Sequence, residues 1–453
     1  MSVTSLAVTS GADPQNVALF RCARCGVESP ERSCFVIPER YSKPPRDTRC
    51  LTCEQQRQQP TTARGITAAV FSVFWPLFIF VGSQRGSPEH LPLSAIVLVG
   101  LFYPLAITAH EFGHAVSAWS LRLEVGTIAI GFGRTLRQFR LGGLPIRINT
   151  WLLSGRVYLG ARSTRFLRTR LWLATLMGPA TNAAFLGLTT HYWTDLEPLV
   201  GPTALGLWVI VNFFLLLINM MPHRGAQFGH PYRSDGLALL EIPNSIESEM
   251  IMYLTAAPLM RAWYRYQDND FDGSKLCATE ALRRAPDNTL ARVMLAASLI
   301  KLEDYAAAAD IVAPIADAVP ANEPGMHAMV CNAFAVAILL PSVQMSNQSR
   351  LVQAEQLSLE AYSRYPCVLE YRSTRALAVT ATGNAENALT LLDYQHYETG
   401  TDQQRGHRAA ARAFALHSLG RTAEADEQVA LAVRLDPGNA KMLKLLGLST
   451  VTA

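Results

Sequence analysis

The sequence predicts a mainly α-helical membrane protein built from three parts. Residues 1–63 form a zinc-ribbon-like module and linker, residues 64–245 a polytopic core of transmembrane helices with a small β-hairpin insertion, and residues 246–453 an α-helical repeat solenoid. Three observations support this: long apolar runs in the first half, two Cys-x-x-Cys pairs before them, and alanine-rich helical sequence after them. Charged residues make up 17% of the 453 residues, against about 25% in soluble proteins.

Apolar runs in the first half of the chain mark the membrane core. Each is close to the ~20 residues that a bilayer requires, and they lie at Ile66–Gly82, Leu91–Trp119, Leu171–Thr190 and Gly201–Met221. Met1–Asn16 is polar and lacks the apolar centre of a cleavable signal peptide. The first run is therefore expected to act as an uncleaved anchor.

The distribution of arginine predicts the orientation. The loop between the second and third runs carries ten arginines against one acidic residue, Glu124. The loop between the third and fourth runs has no arginine or lysine. The positive-inside rule then places that loop and both terminal domains in the cytoplasm of a multi-pass protein of the plasma or bacterial inner membrane. A nucleic-acid surface is the alternative, but the net charge of +4 and the absence of a lysine-rich tract argue against a nucleic-acid partner.

A His-Glu-x-x-His motif lies at the end of the second run. Its spacing puts His110 and His114 one helical turn apart, where they can hold one Zn²⁺ while Glu111 polarises a water molecule. Ionisable groups at membrane depth are costly and usually functional. Two histidines satisfied at a helix end are the alternative.

The arginine-rich loop contains two strand-like segments. Val125–Phe132 and Ile146–Leu159 are rich in β-branched residues, and Gly142-Gly143 between them is a turn signal. An exposed edge of this hairpin could bind an extended peptide by β-augmentation. A purely structural hairpin is equally compatible with the pattern.

Four motifs in order resemble the site-2 proteases, intramembrane zinc metalloproteases that cut membrane-anchored proteins in regulated intramembrane proteolysis. The resemblance covers about Ile66–Leu240. The motifs are the His-Glu-x-x-His sequence, Gly131-Phe132-Gly133, Gly178-Pro179-Ala180-Thr181-Asn182, and Asn219-x-x-Pro222 leading to Asp235-Gly236.

The resemblance implies a role for each matching residue. His110, His114 and Asp235 would ligate the catalytic zinc, and Glu111 would be the general base. Asn182 and Asn219 would hold the substrate backbone or orient the site, although hydrogen bonding between neighbouring helices is the alternative for both. The implied substrate is a membrane-anchored protein.

The spacing before the aspartate departs from the family pattern. Twelve residues separate Pro222 from Asp235, and this insert contains His223 and His230, which compete for the place of the third ligand. Asp235 is preferred because the Asp-Gly pair is retained.

The paired cysteines predict a second, structural zinc site. Cys22-x-x-Cys25 and Cys50-x-x-Cys53 can close a tetrahedron of four thiolates, and Gly26 permits the tight turn beneath the metal. Disulfides are the alternative, which a cytoplasmic location disfavours. Cys34 is predicted to be a spare cysteine.

The second half of the chain contains a repeat. Pro286-Asp287-Asn288 recurs as Pro320-Ala321-Asn322 after 34 residues, residues 419–439 form the clearest unit, and residues 383–388 form a weaker one. This half resembles tetratricopeptide (TPR) repeats, which implies a protein or peptide partner in a concave groove; a structural solenoid is the alternative. Cys277, Cys331 and Cys367 are predicted to be small core residues.

These observations together predict an integral-membrane, zinc-dependent metalloendopeptidase in which the ribbon and the repeats select or gate the substrate. Its predicted partners are the lipid bilayer, a membrane-anchored protein substrate and a protein or peptide bound by the repeats. A proteolytically inactive membrane scaffold is the competing hypothesis, which an intact Glu111 argues against. A transporter is disfavoured because the four runs show no internal repeat.

Overall fold

The computed structural model describes residues 20–29, 35–36, 48–50, 53, 93–141, 144–227, 230–316, 318–319, 323–394 and 400–448. The chain divides into two compact units, one of residues 58–298 and one of residues 1–57 together with 299–453. Five sequence features lie outside the described residues: the first apolar run, the linker at 54–64, Cys34, the Gly142-Gly143 turn and Pro320–Asn322. The division into three domains, with boundaries at 63/64 and 245/246, stays a prediction.

The described residues are mainly α-helical, as predicted. The strands are β1 Phe20–Arg21, β2 Glu28–Ser29, β3 Phe35–Val36, β4 Arg49–Cys50, β5 Glu124–Leu141, β6 Leu144–Gly160, β7 Arg224–Gln227 and β8 His230–Arg233. The helices are α1 Leu93–Ser120, α2 Leu167–His191, α3 Trp193–Val200, α4 Pro202–Met220, α5 Asp235–Glu241, α6 Glu247–Gln267, α7 Phe271–Arg284, α8 Thr289–Lys301, α9 Tyr305–Ala316, α10 Pro324–Gln344, α11 Gln348–Arg364, α12 Leu369–Ala381, α13 Ala385–Leu392, α14 Asp402–Ser418, α15 Thr422–Leu435 and α16 Asn439–Leu445.

Helices α1, α2 and α4 are long and apolar enough to cross a membrane, which confirms three of the predicted runs as candidate spans. They pack against one another. At Gly113 of α1, a β-carbon would lie 2.6 Å from the carbonyl oxygen of Met177 in α2. Close approach through a small residue is typical of helix packing in membranes.

Helix α10 also meets the criteria for a span, although its sequence places it among the repeats. Of its most apolar stretch, 56% is buried inside the molecule, whereas the other three candidates bury at most 39%. It packs against α9, α11 and α12. A helix that is apolar on all sides can equally be the core of a helical domain, and its burial favours that role for α10.

The predicted β-hairpin is present and longer than the two strand-like segments. Strands β5 and β6 pair from Glu124↔Gly160 to Leu141↔Leu144, with several β-bulges. Residues 128–130 pair with residues 155–157 on one side and with 146–148 on the other, and 146–148 pair in turn with 137–139, so the two long strands bend into four paired segments. Its base packs on α1 and α6. The fold therefore brings residues 153–157 of β6 beside the helix that carries the His-Glu-x-x-His motif.

Arg284 at the end of α7 ties together three segments of the 58–298 unit. Its guanidinium donates to both carboxylate oxygens of Glu124 at 2.5 and 3.0 Å, and to the carbonyls of Ala161 and Leu254 at 3.2 Å each. Its Nε donates to Glu280 at 2.8 Å. The side chains of Arg284 and Glu124 are only 10% and 9% exposed. This buried pair holds the helices α6 and α7 on the base of the β-hairpin.

Replacing Arg284 by alanine is expected to lower the unfolding free energy by about 3 kcal/mol, because it leaves the buried Glu124 carboxylate without its main partner. Arg283→Ala is the matched control, since the side chain of Arg283 is 74% exposed and pairs with Glu280 at the surface. Thermal unfolding of the purified protein in detergent measures both effects. Equal stability of the two variants would contradict the role assigned to Arg284.

The same pair gives a pH dependence. Burial alone would raise the pKa of the Glu124 carboxyl, but hydrogen bonds from Arg284 and Arg162 bring it below its ordinary value. Such a group stabilises the fold above its unfolded pKa, and the contribution is lost as the pH falls. The stability advantage of the wild type over Arg284→Ala is therefore expected to shrink as the pH drops below about 4.3, the ordinary glutamate pKa.

The helices of the other unit pair in succession: α10 with α11, α12 with α13, and α14 with α15. Gly383 and Gly420 form the turns after α12 and α14 with φ of +99° and +74°, a conformation that favours glycine. Asn384 then caps α13 by accepting from the backbone N–H of Asn387 at 3.3 Å. The repeat signals at 383–388 and 419–439 thus mark the turns of stacked helical hairpins.

Candidate metal centres

The His-Glu-x-x-His motif lies in the last three turns of α1. The side chains of His110, Glu111 and His114 are all buried. The Nε2 atoms of the two histidines are 3.2 Å apart, and their rings meet edge to face. The helical spacing therefore converges the two imidazoles on one point, as the sequence predicts.

Asp235 at the start of α5 completes this group. Its Oδ2 lies 3.0 Å from Nε2 of His110 and 3.4 Å from Nε2 of His114. Ser234 precedes it as the N-cap of α5. At Gly236 a β-carbon would lie 2.0 Å from the carbonyl oxygen of Met220 in α4. The Asp-Gly pair thus lets α5 begin against the end of α4 and directs the carboxylate to the histidines.

The twelve-residue insert forms a hairpin that returns to its starting point. Strands β7 and β8 are antiparallel, and the Ser234 amide donates to the His223 carbonyl at 3.0 Å across the base. Extra residues of this kind do not move the aspartate. His223 lies in the cavity wall with its Nδ1 2.9 Å from the Met221 carbonyl. The side chain of His230 lies outside the described residues.

The three donor atoms fit a divalent metal ion. Zinc bound to imidazole and carboxylate at about 2.0–2.1 Å in a tetrahedron places ligand atoms about 3.4 Å apart, close to the 3.0–3.4 Å seen here. Three protein ligands leave one position open, the arrangement of catalytic rather than structural zinc sites. Burial alone would raise the pKa of the Asp235 carboxyl, but hydrogen bonds donated by His110 and His114 bring it well below its usual range when no metal is bound. A bound cation would favour the ionised carboxylate in their place.

One asparagine side chain, backed by a second, and one backbone carbonyl contact the histidines on the Nδ1 side of their rings, away from the metal position. Nδ1 of His110 lies 2.5 Å from Oδ1 of Asn182, and the Asn182 amide donates to Oδ1 of Asn212 at 3.0 Å. Nδ1 of His114 lies 2.8 Å from the Ala174 carbonyl. Such bonds fix the ring orientation so that Nε2 faces the metal. Asn182 thus contacts His110 directly, whereas Asn212 was not predicted from the sequence; its signal was an asparagine inside an apolar run.

Two glycines make room for this site. At Gly178 of α2 a β-carbon would lie 2.2 Å from Nε2 of His114 and 2.8 Å from Nε2 of His110. At Gly155 of β6 it would lie 2.2 Å from Cγ of Glu111. The first explains the glycine of the Gly-Pro-Ala-Thr-Asn motif. The second places the backbone of β6 directly over Glu111, a contact that no local pattern indicates.

A cavity of about 560 Å³ opens onto the group. Glu111, both histidines and Asp235 line it, and residues 153–157 of β6 form one wall. Asn219 lines the same cavity near the end of α4. The cavity therefore brings together all the residues predicted for this site except Asn182, which lies behind His110.

The four cysteines form the second group. Sγ of Cys22 and Cys53 are 3.5 Å apart, and those of Cys25 and Cys50 are 3.7 Å apart. These separations are close to the ~3.8 Å edge of a tetrahedron with zinc–sulfur bonds of about 2.3 Å, and too long for disulfide bonds of about 2.05 Å. Gly26 turns the first knuckle with φ of +71°.

The surroundings of the Cys25 thiol oppose its ionisation. The hydrogen bond to Cys50 and burial raise the pKa of the Cys25 thiol to about 11. A bound dication reverses this effect, because metal-coordinating thiols are deprotonated outright. The donor set therefore fits a thiophilic dication such as Zn²⁺.

The four-cysteine group belongs to the same compact unit as the repeats. Cys22, Cys50 and Cys53 form one buried cluster with side chains of α10, α11 and the turn before α12, namely Ala328, Cys331, Ala361, Tyr365 and Cys367. The prediction that Cys331 and Cys367 are core residues is confirmed, whereas Cys277 is only partly buried. Contact between the ribbon and the repeats was not predicted from the sequence.

Comparisons with known proteins add little. No family model matches the sequence, and no curated protein matches it. Among solved structures, the chain is similar to a thermophilic TPR protein from Thermus thermophilus, with 19% sequence identity and a TM-score of 0.34, over 43% of this chain and 100% of that chain. The description of stacked helical hairpins rests on the helix pairs themselves.

Proposed function

We propose that this chain is an intramembrane zinc metalloendopeptidase that hydrolyses peptide bonds of membrane-anchored proteins. The observation that carries the proposal is the convergence of His110, His114 and Asp235 beside Glu111, at the buried end of an apolar helix. A structural zinc site has four protein ligands and needs no general base. A hydrolytic site needs an open ligand position for water and a base beside it.

Zinc bound by this group would supply a Lewis acid that polarises the attacked carbonyl and activates water. Glu111 accepts the proton of the attacking water and carries it to the leaving amide nitrogen. Hydrogen bonds that Nδ1 of His110 donates to Oδ1 of Asn182, and Nδ1 of His114 to the Ala174 carbonyl, keep both imidazoles in place during these steps. Asn219, in the cavity wall, can donate its side-chain amide to the substrate backbone.

The position of strand β6 supports the proposal that the substrate binds as an extended peptide. Residues 155–157 pair with β5 on one side, while their other edge meets no strand in the part of the chain that the structure describes. That segment lines the cavity. A peptide added to this edge by β-augmentation would carry its backbone past Glu111.

The surface of the helices supports a membrane-anchored substrate. Large apolar side chains of α1 and α4 are exposed, among them Leu101, Leu105, Val116, Phe213 and Leu217. Exposed apolar surface of this extent on helices of spanning length fits contact with lipid. We infer that the substrate reaches the cavity from the bilayer. We also infer that the ribbon and the repeats, which the arginine distribution predicts to be cytoplasmic, select a protein or peptide partner.

The test is cleavage of a panel of single-span membrane proteins by purified Glu111→Gln. We expect at least about a 10³-fold loss of rate, because the variant lacks the general base, with metal content unchanged. Glu249→Gln is the matched control, since Glu249 is exposed at the start of α6. Equal cleavage by Glu111→Gln and the wild type would refute the mechanism; no cleavage by any form would favour the inactive scaffold.

A further inference from the structure

The repeat helices supply polar contacts to the four-cysteine group. The Tyr394 hydroxyl donates to Sγ of Cys25 at 3.3 Å, and the Cys367 thiol hydrogen-bonds to the Cys50 thiol. Away from the sulfurs, the Ser29 hydroxyl donates to the Arg364 carbonyl at 2.9 Å. Residues from the carboxy-terminal half of the chain therefore contact the amino-terminal segment that carries the four cysteines.

A buried arginine stands behind one of these contacts. The Arg372 guanidinium lies 4.0 Å from the centre of the Tyr394 ring. It is held by the Pro366 carbonyl at 2.9 Å and the Leu391 carbonyl at 3.2 Å, and the residue is 8% exposed. The positive charge of Arg372 therefore lies against the Tyr394 ring, and the hydroxyl of Tyr394 faces the cysteines.

Charge explains why such contacts matter. Four thiolates around a dication carry a net charge of −2, and three of the four cysteines are almost completely buried. A buried charge is costly unless hydrogen bonds and opposite charge compensate it. Here the Tyr394 hydroxyl and the Arg372 guanidinium provide that compensation, and both residues belong to the repeat helices and their connecting turns.

We propose that the four-cysteine site is a metal-dependent clamp that fastens the amino-terminal segment onto the repeat helices, with Tyr394 as a positioning residue for the thiolates. A thiophilic dication and the docked repeat surface then stabilise each other. Loss of the metal weakens docking and uncovers the apolar face around Ala361 and Tyr365. The clamp does not depend on the proposed protease activity.

The first test measures the metal site alone. The full-length protein is loaded with Co²⁺, whose thiolate charge-transfer absorption reports the cysteine site and not the histidine–aspartate site. Tyr394→Phe is expected to release cobalt to a chelator about tenfold faster than the wild type, as for other outer-shell substitutions. Tyr305→Phe, on α9, is the matched control. Equal release rates for Tyr394→Phe and the control would overturn the positioning role.

The second test needs no variant. Hydrogen exchange of the full-length wild-type protein is compared before and after chelation. Residues 361–371, which lie next to the four-cysteine group, are expected to exchange faster once the metal is removed. The exchange rate of the α14–α15 hairpin is expected to stay unchanged. Unchanged exchange at 361–371 would overturn the clamp, and so would an equal increase in α14–α15, since it would indicate general loosening of the unit.

Discussion

Gly178→Ala is expected to empty the histidine–aspartate site and abolish cleavage. The added methyl group would lie 2.2 Å from Nε2 of His114 and 2.3 Å from its Cε1, so one or both imidazoles must move away from the metal position. Metal content should fall from about two ions per chain, one in each site, to about one. Elemental analysis of the purified protein measures this number directly.

Gly187→Ala is the matched control for this prediction. It lies in the same helix, and its β-carbon would meet nothing within 4 Å. Both substitutions raise helix propensity by about 1 kcal/mol, so a difference between them reports the contact with the histidines. Two metals per chain and full activity in Gly178→Ala would show that the described packing around the histidines is wrong.

Asp235→Asn is expected to remove the same metal, because a neutral amide replaces the ionised ligand that lies 3.0 and 3.4 Å from the two histidines. The metal content should again fall to about one ion per chain, and cleavage should cease. His223→Ala should keep both metals. The opposite pattern, with metal lost from His223→Ala and kept in Asp235→Asn, would assign the third ligand to the histidine.

Those parts of the fold that depend on local sequence could be predicted. Apolar runs indicated α1, α2 and α4 because spanning a bilayer depends on length and composition alone. The spacing of His110 and His114 placed both imidazoles on one helix face for the same local reason. The Asp-Gly pair pointed to Asp235 despite the insert, and the structure places its carboxylate beside both histidines because β7 and β8 return the chain to the place it left.

Contacts between distant segments could not be predicted in this way. Asn212 reaches His110 only through Asn182, and Gly155 meets Glu111 only because β6 folds back over α1. Helix α10 matches a membrane span in composition because a helix packed among other helices can be equally apolar. The four-cysteine group contacts repeat residues more than 300 positions away in sequence, as in the hydrogen bond from Ser29 to the Arg364 carbonyl. No periodic pattern in the sequence predicts such a contact.

The most direct test of the central proposal is to map the cut made in a single-span membrane protein and to ask whether it needs metal. Products are identified by mass spectrometry for the native protein, for the protein stripped by a chelator, and for the stripped protein after Zn²⁺ is restored. We expect product ends inside the membrane span, no cleavage after stripping, and recovery with zinc. Cleavage that persists in the stripped protein, or that falls only outside the span, would contradict an intramembrane metalloprotease.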